Sequence, residues 1–239
     1  MRLLKDPSTL DAVFLYFGIL EAYEAVASEL IGSDVLDEHV LPRAVYYGKE
    51  FLPSIFTEEK EESKLVPELK QFFYHFKEKM EHAREEGTRE KFTMEEIWEL
   101  RALIFAYESV FIEILGEVAI KNYVFKRIGD ILGAYLPDIF ISEDLSLKNK
   151  LDSYAKYLMT NKFVGYARAS MKGDQVQIAV NKCEFSRIHD SDAYRNAYVR
   201  FCPWGMIASA IVSSHIGEET SIDDCLFTVK GSVSKLSSH

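Results

Sequence analysis

The chain has 239 residues, 48% of them hydrophobic, and a formal net charge of -10. That length and apolar content can bury one large core or two smaller ones, and they exclude a disordered or fibrous class. An acidic surface repels phosphate backbones, so no nucleic-acid partner is expected.

In chain order, Asp6 and Pro7 interrupt the basic start, and no small-residue cleavage pattern follows the first apolar run. A signal peptide is therefore not expected. Residues 9–31 place apolar side chains at three-and-four spacing with Glu21, Glu24 and Glu29 between them, which predicts an amphipathic helix ending near Gly32. A second helical stretch, about Val35 to Phe56, contains Pro42 and Pro53 as breaks, and residues 57–64 (TEEKEESK) read as a solvated linker. A third helix, about Val66 to Glu86, carries Leu69, Phe72, Phe73, Phe76 and Met80. Glu85 to Arg89 is a break in pattern and the expected domain boundary. It separates a helical region, residues 1–90, from an α+β domain, residues 91–239.

Thr93 and Glu96 have the spacing of a capping box and open a long helical stretch to about Tyr135, with Gly116, Gly129 and Gly133 as possible breaks. The most apolar long window, Ala102–Ile120, holds Glu108, Glu113 and Glu117. Carboxylates are costly at mid-bilayer, so it predicts a partly buried helix and no membrane span. The glutamates read as a solvated face. A further helix covers about Ser146 to Met159. From Phe163 the pattern turns β-rich, with a hairpin around Gly173. Asp190–Phe201 reads helical, Pro203 opens another helix that Gly217 ends, and Cys225 to Val233 reads as one final strand. The expected class is α+β: a helical N-terminal region, then helices packed on a small antiparallel sheet. Three cysteines and no secretion signal point to a reducing, cytoplasmic location.

Those cysteines gather the candidate chemistry. Cys183, His189, Cys202 and Cys225 are the ligand types of a zinc site, although no Cys-x-x-Cys is present. They also suit an ordinary core, where free cysteine is common. Pro203 at the first helical position places Cys202 at an N-cap, where the helix dipole favours a thiolate. With His189 or His215 as base, Cys202 would serve a hydrolase or transferase. No Glu-x-x-His, phosphate loop, Gly-x-Gly-x-x-Gly, Gly-x-Ser-x-Gly or His-Glu-x-x-His occurs, which weakens the common metal, nucleotide and hydrolase readings. Aromatic residues are abundant, and Phe111, Tyr123 and Trp204 are candidate walls of an apolar pocket or parts of a core.

The order of elements, from Phe111 through Arg127-Ile128-Gly129, the hairpin at Gly165, the helix after Cys202 and the strand at Cys225-Leu-Phe-Thr-Val229, resembles the 4-vinyl reductase domain. That is a hydrocarbon-binding family whose fold is shared with TRAPP-complex subunits. The resemblance spans about residues 95–235. Glu219 and Cys225 match its closing acidic residue and last cysteine, while Ile222 and Asp223 stand where the middle cysteine would be. That departure counts against a family-type metal site. The resemblance implies a non-enzymatic sensor or binding module that encloses a small apolar molecule and forms a homodimer.

Overall fold

The computed structural model describes residues 12–53, 55–56, 61–85, 92–133, 135–172, 175–186, 188, 202–217, 220–228 and 231–238. Contacts divide the chain into two compact units, Asp11–Ile114 and Leu115–His239. This division and the pattern break at Glu85 to Arg89 do not coincide. Among the described residues no helix is long and apolar enough to cross a membrane.

The first unit is helical. It comprises α1 (Ala12–Ile31), the short α2 (Ser33–Val35), a π turn at Leu36–Val40, α3 (Leu41–Gly48), α4 (Val66–Glu85) and most of α5 (Met94–Ala119). Pro42 does not break its segment. It lies in the first turn of α3, where its missing N–H would have no partner in any case. The expected capping box is present: the Thr93 amide donates to Glu96 Oε2 at 2.7 Å, and the Glu96 amide donates to Thr93 Oγ1 at 3.1 Å. From Arg101 to Phe111 every residue of α5 is buried. Rings from α1, from α4 and from the turn after α3 cover it: Tyr23 lies 5.2 Å from Phe111, Phe73 6.0 Å from Tyr107 and Phe51 5.6 Å from Phe105. Glu113 is on the solvated rim as expected and pairs with Arg43 at 2.7 Å.

The long helix ends sooner than its apolar pattern predicts. Gly116, one of the three expected breaks, takes φ 77° and ψ 161°, a region almost confined to glycine. Gly129 and Gly133 remain within α6 (Phe125–Gly133), which follows a π turn at Ile120–Val124.

The second unit carries α6, the short α7 (Asp138–Ile141), α8 (Leu147–Thr160), α9 (Pro203–Ile216) and four strands. These are β1 (Val164–Lys172), β2 (Gln175–Cys183), β3 (Thr220–Thr228) and β4 (Gly231–Ser238), in the antiparallel order β1-β2-β4-β3. Lys172 faces Gln175 across the expected first hairpin; its turn residues, Gly173 included, lie outside the described positions. The tail differs from expectation. The single predicted strand is a second hairpin, with Leu226 opposite Val233 and an irregularity between Ile222 and Asp224. Val176, Ile178 and Val180 alternate into the core along β2, and Pro203–Val212 of α9 is buried throughout. The close approach of α9 to the sheet is made at Gly205, where an added Cβ would stand 2.3 Å from Ser234 Oγ of β4. The helix expected at Asp190–Phe201 lies outside the described residues.

Candidate functional site

The second unit gathers six aromatic side chains where its helices meet the sheet. Phe140 of α7 lies 5.5 Å from Tyr154 and 5.8 Å from Tyr157, both on α8. Tyr157 is 5.7 Å from Phe163, which stacks on Trp204 at 5.5 Å and 22°. Phe185 closes the group at 6.1 Å from Trp204. All six are buried. Their positions follow from local sequence. Tyr154 and Tyr157 are three apart on one face of α8, and Pro203 starts α9 so that Trp204 falls in its first turn.

The polar groups at this junction are few. The Tyr154 hydroxyl donates to the Trp204 carbonyl at 2.9 Å. Burial lifts its pKa well above the ordinary phenol value, and Cys202, Tyr157 and Cys183 add to the rise. Two cysteines distant in sequence therefore lie near one buried phenol. Neither is in a disulfide. Cys202 is the N-cap of α9 as expected, its carbonyl accepting from the Gly205 and Met206 amides at 2.8 and 3.1 Å, and the residue is 7% exposed.

Its proposed base is separated from it. His215 sits in the last turn of the same helix. At about 1.5 Å of rise per residue it stands roughly 20 Å from Cys202 along the axis. Its Nδ1 instead lies 3.0 Å from Nζ of Lys150, a lysine only 1% exposed. His189, and the side chain of Cys225, lie outside the described residues, as does Glu219. Among the described residues no three His, Cys, Asp or Glu side chains group to hold a metal ion.

The other pocket candidates separate as well. Phe111 is buried in the helical unit, while Tyr123 and Trp204 belong to the second. Tyr123, on the π turn, is 65% exposed, whereas Trp204 is buried. Sequence reading passed over Phe140, Tyr154, Tyr157 and Phe163. The signal available for them was aromatic spacing on a short helix followed directly by a strand.

No family model, no curated protein and no solved structure matches the chain.

Proposed function

We propose that the Leu115–His239 unit binds a small apolar molecule and works as a sensor or carrier without catalysis. The observation that carries this reading is the buried aromatic group from Phe140 to Trp204, which joins α7, α8, the sheet and α9. Ligand pockets are lined by such rings with a few placed polar groups, here the Tyr154 hydroxyl and two thiols. The order of helices, hairpin, helix and strands supports the resemblance to the hydrocarbon-binding 4-vinyl reductase domain. With that resemblance comes homodimer formation, and the three cysteines add a cytoplasmic location to the proposal. A Cys202 hydrolase or transferase has less support, because the thiol is buried and His215 is at the far end of its helix.

Native mass spectrometry of protein purified from its own source tests the reading. A retained small molecule is expected. A hydrophobic-ligand library should raise the melting temperature. The chain has two tryptophans, so Trp98→Phe leaves Trp204 to report binding by its emission. No retained molecule, together with no thermal shift across the library, would overturn the proposal.

A further inference from the structure

The last turn of α9 sets a ring nitrogen against a lysine that has no counter-ion. Lys150 of α8 is 1% exposed, and its Nζ lies 3.0 Å from Nδ1 of His215. The nearest acid along α8, Asp152, pairs with Lys148 instead. Among the described residues no carboxylate comes within ion-pair distance of Lys150. Lysine is seldom fully buried unless its charge is paired. An ammonium without a partner favours giving up its proton to leave a neutral amine.

Local sequence sets this pair. Lys150 shares the buried face of α8 with Tyr154 and Leu158, each four residues on from the last. Its stem therefore packs along an apolar stripe, and only its head reaches α9. His215 and the residues on either side of it, Ser214 and Ile216, are exposed. α6 also packs against that turn: an added Cβ at Gly133 would stand 3.4 Å from Ser214 Oγ. The amine is thus one exposed ring away from solvent, beside a turn whose backbone is held by its neighbours. Exposed side chains change rotamer freely, so rotation of the imidazole uncovers Nζ without moving either helix. Burial also draws the Lys150 pKa below the ordinary lysine value, with Glu143 opposing.

We propose that Lys150 is a nucleophilic amine that holds a small aldehyde as a Schiff base, with His215 as its proton acceptor. Desolvated lysines with no carboxylate to lock the proton on nitrogen are the ones that attack carbonyl carbon. The ammonium passes a proton to Nδ1 along the 3.0 Å contact. The freed lone pair forms the C–N bond as the carbonyl π pair moves to oxygen, and the imidazolium protonates that oxygen. The nitrogen then gives a second proton to His215, which passes it to the new hydroxyl. That hydroxyl leaves as water while the nitrogen lone pair closes the C=N bond. An ammonium and an aldehyde thus become a protonated imine and one water, the imidazole is restored, and nothing is oxidised or reduced. The link is reversible, and it needs no apolar ligand beside Trp204, so it stands apart from that reading.

The full chain is treated with acetaldehyde and sodium cyanoborohydride at pH 7, where the reductant fixes any imine as an N-ethyl group. Samples quenched at intervals are mapped by peptide mass spectrometry. Lys156, exposed on the same helix, is the internal reference. Lys150 is expected to be ethylated well before Lys156, despite its burial. His215→Gln removes the proton acceptor, and His215→Phe keeps a ring without its nitrogens. In each variant Lys150 should lose its lead while the rate at Lys156 stays the same. A Lys150 that reacts no faster than Lys156 in the unaltered chain would overturn the proposal, whether or not the variants fold. So would a lead that persists in the histidine variants.

Discussion

Lys150 and His215 are an unusual pair, a buried ammonium against a ring nitrogen. Burial lowers the pKa of each, and the Lys150 charge lowers that of His215 further, while Glu143 partly supports the lysine. The unfolded histidine takes up a proton near pH 6.5, and the folded one resists until lower pH. Stability from this group is therefore undisturbed above about pH 6.5 and declines as pH falls from there through the folded pKa. Lys150→Met should move the His215 titration upward, as read by proton NMR of the imidazole, and should lessen the acid-side loss of melting temperature. A titration that stays where it is would show that burial alone sets it. The thiols give a second residue-level expectation. Cys183 is half-buried and Cys202 buried, so iodoacetamide at pH 7 followed by peptide mapping should find Cys183 labelled well before Cys202. Equal rates would mean that α9 opens at its first turn. Both groups show the reach of sequence at this scale. Position alone placed Cys202 at its N-cap, because proline signals a first helical turn. The burial of Arg101 and Glu108 was not anticipated, since charge ordinarily marks a solvated face. The available hint was that each stands alone in the apolar run Leu100–Phe111.

At the scale of elements, the ends of helices were the most legible features, because caps are local chemistry. The Thr93–Glu96 box and the left-handed Gly217 after α9 are both present, while Ser146, read as the start of a helix, is the N-cap of α8. The β3–β4 hairpin was less legible. Asp223, Asp224 and the serines of β4 have weak strand preference, and they are strand because they pair across the sheet. Two glycines carry predictions here. At Gly116 any side chain meets a backbone region that costs about 1–3 kcal/mol, so Gly116→Ala should lower stability by that order in chemical denaturation. Gly205→Ala drives a methyl into Ser234 and should cost about 1–3 kcal/mol through overpacking. Adding Ser234→Gly to Gly205→Ala should recover part of the loss. If it recovers none, the contact between α9 and β4 is not the cause.

For the whole molecule, the α+β class could be read from the chain, because the change from helical to alternating pattern at Phe163 is plain. The division at Ile114 could not, because α5 carries one apolar pattern across it and only Gly116 interrupts the backbone. The turns of α5 that are buried on every side can be followed through exchange with solvent. Amides from Arg101 to Phe111 can meet deuterium only when the helical unit opens. In hydrogen-exchange mass spectrometry their peptides should gain mass last within that unit, after the many exposed positions of α4. Early labelling there would mean that the unit opens locally around Arg101. Slow labelling makes these few amides a gauge of its opening free energy.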